Sequence, residues 1–183
     1  MAQTTQQDVN AVDMLKKDHQ TVTDLFGQFE RAKPDERQAI ATQIFNELTL
    51  HSILEEEIFY PAVREHIDFD DVMEDEEVSG EDESGDTEED SDEDLEPDDS
   101  DDIIAVSYEE HQIVKDLIQE LKAMDAQSTD YTGRFGELKE AVVDHVSEEE
   151  ELIFPAARLK LDVSALGEQM QKRRVALASS MAA

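Results

Sequence analysis

An eleven-residue stretch occurs twice in the chain, as HSILEEEIFYP from His51 to Pro61 and as HVSEEEELIFP from His145 to Pro155. Each copy has a His, a Glu four residues later at Glu55 or Glu149, an apolar pair, and a Pro ten residues after the His. Four residues make about one turn of an α-helix, so each His and its Glu project from one face roughly 6 Å apart along the axis. The duplication reaches further: DHQTVTDLFGQF at 18–29 parallels EHQIVKDLIQEL at 110–121. A helical hairpin has therefore been repeated. Two hairpins with short internal turns pack most simply as an antiparallel up-down four-helix bundle, so the chain is expected to be all-α.

The apolar spacing supports four helices. Asp8 is the expected N-cap of the first, in which Val12, Leu15, His19, Val22, Phe26 and Phe29 form one stripe. Pro34, followed by Asp35 and Glu36, suits the start of the second, whose stripe reads Ile44, Leu48, His51, Glu55, Ile58 and Ala62. Periodicity resumes at Ile103 for the third, in which Ile104, His111, Val114, Leu117, Ile118 and Leu121 share a face. Ser128, Thr129 and Asp130 offer caps for the fourth, with the stripe Leu138, Val142, His145, Glu149, Leu152 and Ala156, while Gly133 and Gly136 weaken its first turns. A short fifth helix is expected from Val163 to about Ala178, capped by Asp162 and burying Leu166, Met170 and Leu177. These elements define a single domain over 8–178.

Between Asp68 and Asp102 there are 22 acidic residues and no Lys or Arg, so most of the net charge of −34 sits in one block and the remainder carries −12. Residues 70–100 have too little apolar surface to offset their ordering entropy and are expected to form a disordered acidic insertion joining the two hairpins. A solvated spacer is the plain reading of that block; a weak cation reservoir feeding the bundle, or an interaction arm, is the functional one. Nucleic acid as a partner requires a basic footprint that the chain lacks, and an anionic membrane surface is disfavoured for the same reason. The N-terminal MAQTTQQDVN has neither the basic nor the apolar region of a signal peptide, and no run of eighteen apolar residues occurs, so a cytoplasmic protein is expected. There is no cysteine, so any bound metal must be held by nitrogen and oxygen.

The repeat selects four of the five histidines, with His19 matching His111 and His51 matching His145; His66 falls opposite Lys160 and reads as a surface residue. Glu55 and Glu149 lie on apolar stripes, where an ionised carboxylate must be paired, neutralised or bound to a metal. Glu56, Glu57, Glu148, Glu150 and Glu151 read instead as solvated acids. A buried hydrogen-bonded network is the alternative to a metal site, and the repetition of His with Glu on four inward stripes favours the metal.

These segments resemble the hemerythrin and hemerythrin-like (HHE cation-binding) family, through AVDMLKKDHQTVTDLF, HSILEEEIFYPAVRE, EEHQIVKDLI, HVSEEEELIFPAAR and LDVSALGEQM in family order. The resemblance implies a four-helix bundle around a non-haem di-iron centre that binds dioxygen or related small molecules. By the same similarity the ligands are His19, His51, Glu55, His111, His145 and Glu149. Their spacing suggests that His19 and His51 hold one iron ion and His111 and His145 the other, with both glutamates and an oxo or hydroxo group as bridges. Imidazole and carboxylate both suit iron.

Oxygen-carrying hemerythrins place a second histidine on the third helix, one turn from the first; here those positions are Ser107 and Lys115. Both irons then keep an open position unless Tyr108, Glu109 or Glu110 closes one. That opening predicts reactivity toward peroxide or superoxide rather than long-lived oxygen carriage. The leading expectation is a module that binds or senses dioxygen, nitric oxide or reactive oxygen species, passing any signal to a separate protein partner. The alternatives are a di-iron enzyme that consumes peroxide or oxidises iron (catalase-like, peroxidase-like or ferroxidase), and an iron storage or buffering protein aided by the acidic loop.

Overall fold

The computed structural model describes residues 10–69 and 103–181; Asp8 and the acidic insertion at 70–100 lie outside the described residues. Among them every regular element is helical: α1 (Ala11–Arg31), α2 (Pro34–Leu54), a π-helical turn (Glu55–Phe59) running into α3 (Tyr60–His66), α4 (Ile103–Ala123), α5 (Thr129–Glu148), a second π turn (Glu149–Ile153) running into α6 (Phe154–Lys160), and α7 (Val163–Met181). The first hairpin is α1 with α2 and α3, and the second is α4 with α5 and α6. Together they form the expected antiparallel bundle. α7 is the fifth helix and packs outside it, against α1 and α2.

The caps follow local chemistry. Asn10, not Asp8, caps α1, its side chain accepting from the Asp13 N–H. Pro34 occupies the first turn of α2, and the Glu36 carboxylate accepts from the Lys33 N–H. Ser128 caps α5 by accepting from the Tyr131 N–H at 3.1 Å, and Asp162 caps α7 by accepting from Ala165 N–H at 3.0 Å. With Ser128 in place, α5 runs through Gly133 and Gly136 despite their low propensity.

The two π turns correct the expected stripes. Each begins at the site glutamate and is closed by an N–H donated five residues back, from Tyr60 to the Glu55 carbonyl and from Phe154 to the Glu149 carbonyl. The extra residue in each turn rotates the next stretch of helix, so the buried side chains after Glu55 are Phe59, Tyr60 and Val63 in place of Ile58 and Ala62. In the second copy Leu152 is 45% exposed while Ile153 and Phe154 are buried. Pro61 and Pro155 stand in the first turns of α3 and α6, where the missing N–H cannot continue an i→i−4 ladder back through the glutamates. Single π turns inside α-helices commonly mark functional sites.

The core has two apolar layers. One contains Val22, Phe26, Phe29, Phe45, Leu48, Leu121, Tyr131, Phe135 and Leu138, and is organised around Phe135, stacked on Phe29 at 3.6 Å and edge-on to Phe26 at 5.6 Å. The other contains Leu15, Leu54, Phe59, Tyr60, Val63, Ile104, Ile153, Phe154 and Met170. The four bundle histidines, Glu55 and Glu149 are buried beside these layers, and both glutamates are wholly inaccessible.

Candidate metal centre

All six residues singled out by the repeat converge. His19 Nε2 lies 3.2 Å from His51 Nε2, and His111 Nε2 lies 3.1 Å from His145 Nε2, so the histidines pair hairpin by hairpin. Glu55 Oε2 sits 2.9 Å from His51 Nε2 and 3.3 Å from His111 Nε2; Glu149 Oε2 sits 3.2 Å from His19 Nε2 and 3.5 Å from His145 Nε2. Each carboxylate therefore touches one histidine of each pair. Both Glu55 oxygens and Glu149 Oε2 are nonetheless buried without a hydrogen bond. Carboxylate oxygens that meet ring nitrogens without hydrogen-bond geometry are what ligands around a cation look like, and the Nε2 pairs fit too, since two nitrogens each roughly 2.1 Å from one ion at right angles stand about 3 Å apart.

Two overlapping donor groups result: His19, His51, Glu55 and Glu149 form one, and Glu55, His111 and His145 form the other. Their donor atoms lie within 4.8 Å of one another, and the all-nitrogen-and-oxygen set fits a hard or borderline divalent cation.

On three of the four rings the outward nitrogen decides which edge points inward. His19 Nδ1 is 3.0 Å from Glu150, His111 Nδ1 is 2.9 Å from Glu56, and His145 Nδ1 is 2.7 Å from Glu110. In the neutral ring an Nδ1–H donated to a carboxylate leaves the lone pair on Nε2, facing the centre. Glu56 and Glu150 are thus not the solvated acids expected from sequence. Each crosses to a histidine of the other hairpin and also takes a lysine, Lys115 at 2.5 Å and Lys16 at 2.7 Å. The solvated reading holds for Glu57, Glu148 and Glu151, all exposed, and for His66, exposed with its ring on the Ala62 carbonyl.

Tyr60 was not among the expected site residues. Its buried hydroxyl donates to Glu149 Oε1 at 2.8 Å and lies 3.4 Å from His111 Nε2. The three candidates for an extra ligand do not reach the Nε2 face: Tyr108 donates to the Glu56 carbonyl, Glu110 sits behind His145, and Glu109 is exposed. The signal was present as the one polar difference at the end of the repeat, Tyr60 against Phe154, which stacks on His19 at 5.5 Å. Without the π turn, Tyr60 could not be placed on the buried face.

Burial depresses the basicity of His51, but the Glu55, Asp18 and Glu149 carboxylates together outweigh it and push the ring up to about 10. His111 rises to about 9 as Glu55 and Glu56 overcome the same burial. Burial would raise Glu55, yet His51 and His111 hold it well below the usual carboxylate range. Burial and then the Glu55 and Glu149 charges push the Tyr60 phenol well above its ordinary value, keeping it a donor. In the metal-free protein the histidine shifts contribute stability that is complete below about pH 6.5 and is lost as pH rises through about 9 to 10. A metal must displace those protons, so loading at pH 7 is expected to release about two protons per chain. Titration calorimetry in buffers of different ionisation enthalpy measures this; a buffer-independent enthalpy would show that both rings are already neutral.

The profile of the hemerythrin HHE cation binding domain matches residues 10–95, 86–157 and 102–175 of the chain. The chain belongs to the hemerythrin HHE cation-binding family. A crystal structure of a hemerythrin HHE cation binding domain-containing protein from Mycobacterium kansasii superposes with a TM-score of 0.66, at 22% identity, covering 94% of this chain and 89% of that one. The hemerythrin-like fold is thereby shown. A DNA nickase from Nostoc sp. strain PCC 7120 is 30% identical over 156 residues, which is 85% of this chain and 35% of the relative. The chain thus spans about a third of that curated relative. As a hemerythrin HHE domain it is a cation-binding protein, and the buried His and Glu groups could hold a cation.

Proposed function

We propose that the chain is a non-haem di-iron protein that binds or senses dioxygen, nitric oxide or a reactive oxygen species, with His19, His51, Glu55, His111, His145 and Glu149 as the metal ligands. The observation that carries this reading is the pairing of four inward Nε2 atoms around two buried carboxylates that each contact both pairs. When bound, two iron ions supply one-electron and dioxygen chemistry that protein side chains lack. His19 with His51, and His111 with His145, would hold the ions, and the Glu55 and Glu149 carboxylates would add anionic oxygen and offset the charge. Beside the histidines is an apolar chamber walled by Val22, Leu48, Val114, Val142 and Val146, with space for about one water-sized molecule. Its size favours a diatomic gas or peroxide over an organic substrate.

A specific observation favours peroxide consumption as a second reading. Tyr60 holds a proton on its hydroxyl inside the site, donated to Glu149 Oε1, where the second copy of the repeat has only Phe154. A positioned donor is what turnover of a small oxygen compound needs and simple gas binding does not. Iron storage with the help of the acidic loop rests on residues outside those described.

No helix among the described residues is long and apolar enough to cross a membrane, and a cytoplasmic setting is proposed with the reading above. The nicking activity named for the Nostoc relative is not carried over. A net charge of −34 opposes a polyphosphate partner, and we propose that nucleic acid is not one. The test is anaerobic reconstitution with Fe(II), iron analysis, and absorption spectra before and after dioxygen, nitric oxide or peroxide, beside His51→Ala. Two irons per chain and ligand-dependent bands that vanish in the variant are expected. Fewer than one iron per chain, or spectra indifferent to all three ligands, would overturn the proposal; catalytic peroxide loss lost in His51→Ala would select the enzyme.

A further inference from the structure

Three of the four site histidines have a carboxylate at 2.7–3.0 Å from Nδ1. His51 does not: its nearest carboxylate, Asp18 Oδ2, stands 3.7 Å away, beyond hydrogen-bond reach, and His51 Nδ1 is buried without an acceptor. Asp18 is instead held from α7. Arg174 takes both oxygens of the buried Asp18, Nη1 on Oδ1 at 2.9 Å and Nη2 on Oδ2. A two-point guanidinium–carboxylate pair is among the strongest polar contacts a protein makes, and it both holds Asp18 in place and compensates its charge. At the equivalent place in the second hairpin Glu110, one methylene longer, closes on His145 at 2.7 Å.

We infer that Arg174 is a positioning residue through which α7 holds Asp18 off His51, making the metal position of His19 and His51 the more weakly held of the two. The inference rests on the di-iron reading above. A carboxylate on the outer nitrogen raises the basicity of a ligand histidine and locks its ring, and losing such a partner typically weakens metal binding by about 10–100-fold. The fifth helix, which the four-helix bundle does not need for its own topology, thereby acquires a handle on one metal and not the other.

The full chain loaded with two equivalents of Fe(II) under anaerobic conditions and chased with excess ferrozine tests this directly. Wild type is expected to release iron in two phases of equal amplitude. Arg174→Gln frees Asp18 to accept from His51, so the fast phase slows by about tenfold while the slow phase is unchanged. Adding Asp18→Ala to Arg174→Gln restores the fast phase, because no acceptor on that residue then remains for His51 Nδ1. Arg173→Gln removes the neighbouring two-point pair with Glu57 that also docks α7, and leaves both phases as they were. A single phase in wild type, an unchanged fast phase in Arg174→Gln, or acceleration of both phases there would overturn the inference and leave Arg174 a simple staple. A wild-type chain that retains no iron overturns the di-iron reading itself and this inference with it.

Discussion

If the chain holds two irons as proposed, Glu55→Gln is expected to lower bound iron to below one per chain, with little loss of helicity. Glu55 is the residue shared by both donor groups, and its Oε2 contacts His51 of one hairpin and His111 of the other. Gln keeps the volume but replaces an anionic oxygen by a neutral amide, a poor ligand for a hard cation that can also turn its N–H₂ inward. The loss should exceed the roughly 10–100-fold that outer partners contribute to metal affinity. Folding should survive because the metal-free centre is relieved, not broken: with the Glu55 carboxylate gone, burial acts against Asp18 and Glu149 alone at His51 and against Glu56 alone at His111, and the basicity of both rings falls. Metal analysis after desalting, beside circular dichroism, reads both quantities. Glu57→Gln is the control, since Glu57 is exposed and pairs with Arg173 outside the centre. Equal iron in Glu55→Gln and wild type would remove Glu55 from the ligand set.

The opposite separation is expected of Phe135→Ala, which should cost about 3–5 kcal/mol of folding stability while leaving the metal stoichiometry of the folded chain intact. Phe135 is buried among Phe26, Phe29, Phe45 and Tyr131 in the apolar layer organised by its ring. Truncation removes the stack and leaves a cavity onto which the surrounding helices cannot collapse. For a domain of this size the corresponding fall in Tm is roughly 6–20 °C. The measurement belongs on metal-free protein, because any bound metal adds stability by mass action. A fall under about 1 kcal/mol would mean that the layer repacks, contrary to close packing.

Much of the centre is legible in the chain because the repeat supplies an internal comparison. Two histidines and a glutamate occur on each hairpin, the second His four residues before its Glu in both, and the α-helical period up to Glu55 and Glu149 places them inward without any knowledge of packing. The residues after each glutamate are not legible in the same way, since the period expected there is broken by an inserted π residue. An unbroken α-helical stripe points Ile58 and Leu152 inward and passes over Tyr60. The roles of Glu56 and Glu150 escape the sequence for another reason. Each is the neighbour of a site glutamate, and its exposure depends on whether a histidine from the opposite hairpin stands across the bundle to receive it.

The sequence by itself determined the helices, the pairing of two like hairpins and the six residues that meet, because periodicity, capping and duplication are local or internal properties of the chain. Only the tertiary structure decided how the two halves of the centre differ. Tyr60 in place of Phe154, Asp18 drawn to Arg174 while Glu110 closes on His145, and the crossing of Glu56 and Glu150 each join residues far apart in the chain. Such contacts depend on distances of a few tenths of an ångström across the bundle, which no spacing along one helix can express.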